Sequence, residues 1–341
     1  MRQTALITAL AVMAMVTGAI AQTPQQAAEW QKVIDAAKAE GKVTMYSGQV
    51  GVPYHHEIAK LFTAKYGIPV ETLEARASEL QERIRLEQVT NRVKGDFSHN
   101  GGSSAVLLER MGTFQEHGYL PNLEKLQDRF KSSGRQFSFF VQRMGIAVNT
   151  RIPEAERPKG WLDLLNPRWK GRILSDDFRA LGSGSAFFNV TYRFLGREFL
   201  EKLATQNIVF SRAVRDSPRR VARGEYDIYI PLSLPETLLN EGLPLQTIIP
   251  QEGTPYVTYD AAVFTGAPHP NAARLLLDFF ISEEAQMIYV RSGRGPTIKG
   301  LDDKVPENVA PLIRQGKLMD KPDADRTEEL LKLAEQMYKG P

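Results

Sequence analysis

The chain has 341 residues, 43 Lys and Arg against 40 Asp and Glu, and no cysteine. A net charge of +3 implies neither nucleic acid nor an anionic membrane as partner, and the missing cysteines exclude disulfides, thiolate chemistry and Cys-ligated zinc. Stability must come from burial alone, and the length suits two domains.

Residues 1–21 read as a secretory signal: Arg2, an apolar run from Ala5 to Val16, and Ala19-Ile20-Ala21 as cleavage site. Cleavage there leaves Gln22 first, with no cysteine for a lipid anchor, so a free, exported protein is expected. Helix and strand patterns then alternate, which predicts an α/β architecture. Trp30, Val33, Ile34 and Ala37 share a helical face that Gly41 ends. A strand at 42–46 runs into the turn Ser47 to Gly51, a helix places Ile58, Leu61 and Phe62 on one face, and residues 68–73 form the next strand. A charged amphipathic helix covers 78–93. The short segment 95–97 leads into the loop Ser98 to Ser104. Loops at the carboxyl ends of strands in open α/β sheets are where ligands sit, which makes Ser47 and Asn100 candidates. Asn100 is alternatively a turn residue, with the ligand role ahead.

Strands are expected at 137–141 and 144–149, then a short strand at 172–174. Between it and a helix at 187–195 lies the stretch from Ser175 to Phe188, which holds Gly182, Ser183, Gly184 and Ser185. A Gly/Ser turn entering a helix offers unpaired N–H donors to an anion. Ser183 and Ser185 add hydroxyls and Arg179 a planar cationic fork. For either serine alone, helix capping is the commoner role.

Several words after residue 158 give the chain a relation. Trp161 to Leu165, Pro167 to Gly171, Gly224 to Asp227, Gly266 to Ala273 and Leu277 to Gln286 resemble the periplasmic solute-binding proteins of ABC importers, in the group of ferric-iron, thiamine, phosphonate and sugar-phosphate binders. The resemblance implies a type II periplasmic binding fold: two α/β lobes joined by crossover strands, with the ligand in the cleft between them. The first crossing is placed at 142–148 and the return at 257–262. The first lobe is then 22–142 with 260–300, and the second 143–259 with a tail, 301–341, whose last helix packs back on it. The implied partners are a small solute and a membrane permease, for a monomeric periplasmic receptor without cofactor.

The remaining candidates carry alternatives. Ser217, after Asp216 and before Pro218, is equally a capped helix start and a cleft residue. Ser233 with Glu236 fits a capping box, the reading ahead for it. Tyr259 and Asp260 lie on the return crossing, as core or as ligand contacts. Arg143, on the first, is either a hinge ion pair or a ligand contact. His55 and His56 are adjacent on a helix and are not expected to chelate one ion together, and the region after Asp227 lacks the adjacent tyrosines of the ferric binders, so no metal ligands are assigned. The serine of a G-x-S-x-G elbow, a P-loop and a dinucleotide fingerprint are all missing. A receptor of the same fold for ferric or another metal ion is the alternative, and a secreted hydrolase or transferase is the competing class. The resulting expectation is capture of a small anionic solute bearing carboxylate or phosphate.

Overall fold

One long strand organises the molecule. The structure, a computed structural model, describes residues 23–131 and 133–338, so the signal segment 1–21 lies outside the described residues. Among the described residues ten strands are found: β1 Val43–Ser47, β2 Val70–Glu74, β3 Phe97–Gly101, β4 Gln136–Asn149, β5 Ile173–Asp176, β6 Val209–Ser211, β7 Ile228–Ser233, β8 Leu245–Ile248, β9 Tyr256–Val263 and β10 Gly295–Pro296. Their order is β2-β1-β3-β9-β4-β7-β5-β6, with β8 and β10 also pairing with β4. The first half of β4 pairs with β9 from Gln136 to Arg143. Its second half pairs with β7 and β8 from Met144 to Asn149. The two strands expected at 137–141 and 144–149 are therefore one continuous strand shared by two sheets.

Each sheet carries its own core. In the first lobe Phe97, Phe139, Phe140, Phe280 and Tyr289 are fully buried and packed ring against ring, for example Phe139 edge-on to Phe140 at 5.0 Å between centroids. Burying each such side chain contributes roughly 1.5–3 kcal/mol. The second lobe is built on Trp161, Phe178, Phe187 and Phe188, and the helix Thr327–Met337 adds Leu330 and Ala334 to that core. The tail preceding this helix divides, because Leu301 belongs to the first core.

Local signals explain most helices. Thr23 caps Pro24–Glu40 through a capping box, and Gly41 ends it in the left-handed region at φ 80°. Proline occupies the first turn of Pro53–Tyr66 and Pro270–Phe280. Leu61, expected on the buried face, is exposed. The clearest departure is at 98–101, which is strand and not loop. Ser98, His99 and Asn100 are buried between β1 and β9, a polar run tolerated because His99 Nδ1 lies 3.0 Å from the Ser47 hydroxyl and Asn100 Nδ2 donates to Ser98 Oγ at 2.9 Å.

Candidate functional site

A cavity of about 670 Å³ lies between the two lobes. First-lobe strand ends and loops contribute Gln49, Arg76 and Gly101 to Ser104, and the second lobe contributes Ser183, Ser185, Ser233 and Glu236. Of the ten residues singled out from the sequence, Ser183, Ser185, Ser233, Tyr259 and Asp260 line it.

The Gly/Ser turn enters a helix as expected, but the helix starts at the serines, Ser183–Phe194, and its N-terminus already holds an anion. Asp176, at the end of β5 and 1% exposed, accepts hydrogen bonds through Oδ2 from the Ser183 hydroxyl at 2.7 Å and the Gly184 N–H at 2.9 Å. Its Oδ1 receives Arg76 Nη2 of the other lobe at 3.3 Å. A carboxylate at a helix N-terminus is favourable by up to about 2 kcal/mol, so the chain supplies internally the charge that the turn was expected to take from a solute. Ser185 caps, exchanging bonds with Gly182 N and O at 3.1 Å each. Gly184 is required sterically: a Cβ there would stand 2.6 Å from the carbonyl oxygens of Asp176 and Asp177.

Arg179 does not reach the cavity. Its Nε pairs with Asp177 at 2.9 Å, Nη1 donates to the Tyr338 carbonyl, and the guanidinium stacks on Phe210. An arginine two residues from a carboxylate turned the same way is satisfied locally, which the sequence spacing permits but does not demand. Three other candidates also lie outside the cavity wall. Ser47 bonds to His99, Asn100 to Ser98, and the Ser217 hydroxyl donates to the Ala213 carbonyl at 3.0 Å. Arg143 makes no ion pair among the described residues and does not line the cavity; it binds Thr254 and the carbonyls of Ile313 and Gly316.

Ser233 reverses its assigned role. The helix that follows starts at Glu236 with Pro235 as its N-cap and no side-chain cap, and the Ser233 hydroxyl is buried on the cavity wall without a hydrogen-bond partner. A buried hydroxyl left unsatisfied is costly. Nearby, burial pushes the Glu236 carboxyl up to about 7, only partly opposed by Arg215 and Arg294. Burial likewise raises Tyr259 and Asp260, the latter against the pull of hydrogen bonds from Ser138, at 2.7 Å, and Thr258. Near neutrality, then, Glu236 is a ready proton donor as well as an acceptor.

The feature that sequence reasoning missed is in the first lobe. The helix Gly102–Arg110 starts at the cavity, follows directly on β3, and has no side-chain cap. A Cβ on Gly102 would fall 2.4 Å from the Thr258 hydroxyl, so only glycine lets the helix start this close to β9. The signal is present in Gly101-Gly102-Ser103-Ser104, the same Gly/Ser pattern as at 182–185, where the sequence predicts a loop and the structure has a strand end and a helix start. Arg76 was also missed. It spans the cleft, donating to the Arg212 carbonyl at 2.7 Å besides Asp176. Arg215 reaches back to the Gly51 carbonyl.

The histidines differ from expectation too. His55 and His56, though adjacent, both reach Glu74 Oε1, at 2.7 and 2.8 Å. The cavity, by contrast, brings together no group of three His, Asp or Glu ligand atoms among the described residues.

These features define a class: a two-lobed type II periplasmic binding protein with a cavity between its lobes. The substrate-binding protein of an ABC transporter from Agrobacterium tumefaciens superposes with a TM-score of 0.78 at 16% identity, over 87% of this chain and 94% of that one. The periplasmic binding protein AfuA from Actinobacillus pleuropneumoniae, with fructose-6-phosphate bound, gives 0.74 at 22% identity over 88% and 99%. The ferric binding protein from Campylobacter jejuni gives 0.71 at 21% over 87% and 98%. Residues 43–294 match the family described as bacterial extracellular solute-binding protein. The chain belongs to this family, as a solute-binding component of an ABC importer and not an enzyme. The family implies the periplasm, a small-molecule ligand and an ABC permease.

Proposed function

We propose that the cleft captures a small organic anion, with a phosphate or carboxylate head and a polar, hydroxyl-bearing body, for delivery to the permease. The observation that carries this reading is the uncapped N-terminus of Gly102–Arg110 opening into the cavity. Its first N–H groups are donors without partners inside the helix, and they attract negative charge. Arg76, paired with Asp176 at the facing wall, keeps a buried Nε–H without a partner. The unpartnered Ser233 hydroxyl and the Glu236 carboxyl suit the body of the solute, since each exchanges hydrogen bonds with hydroxyl or phosphoryl oxygens. The anion site thus moves from the turn at 182–185, filled by Asp176, to the first lobe.

Hydrogen bonds to charged groups contribute roughly 1.5–3 kcal/mol each, and micromolar affinity needs about 8 kcal/mol. Four or five contacts drawn from both lobes suffice. Because both lobes touch the solute only when closed, binding shifts the open and closed populations. The likeness to a fructose-6-phosphate binder supports a phosphorylated solute, and the likeness to a ferric binder supplies the competing reading.

The test is a melting-temperature screen of hexose phosphates, phosphonates, dicarboxylates, polyamines and ferric ion, followed by calorimetry on Ser103→Asp. A ligand at a thousand times its Kd stabilises the folded state by about 4 kcal/mol. An organic anion should raise the melting temperature, and the new aspartate, set in the first turn of the helix, should weaken it at least tenfold by occupying the anion's place. A response to ferric ion or polyamines alone, or an unchanged Kd in the variant, overturns the reading.

A further inference from the structure

Outside the cleft, three side chains that the solute site does not use converge at the outer end of the first sheet. His55 and His56 stand in the first turn of Pro53–Tyr66, and Glu74 ends β2. One ligand atom from each lies within 4.8 Å of the other two, and the imidazole rings are 4.3 Å apart between centroids. Both Nε2 atoms point at the same carboxylate oxygen. Ligands bonded to one zinc ion at about 2.0–2.1 Å in tetrahedral array stand about 3.3 Å apart. The observed 2.7 and 2.8 Å separations need to open by only about half an ångström to admit an ion, a side-chain adjustment for the half-exposed His56.

We propose that His55, His56 and Glu74 form a site for a divalent transition-metal cation, of which Zn²⁺ is the type. Two imidazoles and one carboxylate are the ligand set such ions favour over Mg²⁺ or Ca²⁺, and three protein ligands leave a fourth position for water. Geometry also orients the carboxylate: Glu74 Oε2 accepts the Gly51 N–H at 2.6 Å, which leaves Oε1 facing the two imidazoles. The side chain of His55 is wholly buried and its Nδ1 has no partner; Nε2, which faces Glu74 Oε1 at 2.7 Å, is the nitrogen an ion would take, with the ring proton moving to Nδ1.

The site stands directly behind the cleft. Gly51, which donates to Glu74, accepts Arg215 of the second lobe through its carbonyl, so a bound ion would stiffen the loop against which the lobes close. The test uses the full chain stripped with EDTA and titrated calorimetrically with ZnCl₂, in parallel with His56→Ala, which removes a half-exposed ring, and Glu74→Gln, which keeps the shape. One equivalent should bind, with affinity falling at least tenfold in each variant, and with no heat from MgCl₂. Absence of stoichiometric uptake, or uptake undiminished in both variants, refutes the site.

Discussion

Replacing Arg76 by alanine should open the unliganded protein. The guanidinium makes two bonds across the cleft, to the Arg212 carbonyl at 2.7 Å and to Asp176 at 3.3 Å. Bonds to charged groups contribute roughly 1.5–3 kcal/mol. The second is long and Arg76 is 18% exposed, so the lower end applies, about 3 kcal/mol for the pair. At 1.4 kcal/mol per factor of ten, the closed-to-open ratio falls by about a hundredfold. Small-angle scattering of the solute-free protein should show a larger radius of gyration for Arg76→Ala than for the wild type. Asp176→Asn, which keeps an acceptor for Ser183 and Gly184 and leaves the Arg212 bond intact, should give an intermediate curve. Scattering profiles that superpose for all three proteins would refute the claim that this arginine holds the lobes together.

Two further outcomes concern stability. Asp278, 4% exposed, has its carboxyl raised to about 6 by burial, while Asn122 donates to it from N and Nδ2 at 2.7 Å each and works in the opposite direction. A carboxyl raised on folding gives a contribution fully present below its unfolded pKa near 4 and lost as pH rises through 6; two pKa units correspond to about 3 kcal/mol. Denaturation curves of the wild type minus Asp278→Asn should show this loss between pH 4 and 6, and a pH-independent difference would contradict it. Gly184→Ala drives a Cβ into the carbonyls of Asp176 and Asp177, and urea unfolding should register a cost of about 1–3 kcal/mol; an unchanged midpoint would mean that β5 and the helix separate freely.

Sequence reasoning located elements better than partners. The strands at Val43–Ser47 and Val70–Glu74 lie within a residue or two of their expected bounds because their turns are punctuated by glycine and proline, signals that act locally. The polar run Ser98 to Asn100 misled because its backbone ladder and the partner of His99 come from strands dozens of residues away. Arg179 misled for a similar reason: an arginine near a Gly/Ser turn serves a ligand or a neighbouring carboxylate equally well, and only the fold shows Asp177 beside it and Tyr338 beyond. The same ambiguity hid Asp176, whose placement in the helix mouth requires the strand to end where it does. The histidine pair escaped because helical spacing fixes where side chains begin, while a strand end 18 residues on fixes where theirs point.

The continuity of β4 through both sheets bears on how the receptor signals. Any rocking of the two halves must be taken up as torsion in that spine and in β9 beside it, whose mutual register slips between Ser138 and Phe140. A second slip, against β7, lies between Gly145 and Ala147. Extended chain twists readily at such irregularities yet scarcely stretches, so the halves can rotate without drifting apart. On the proposed reading, a docking permease would then meet a discrete angular change and not a loose tether.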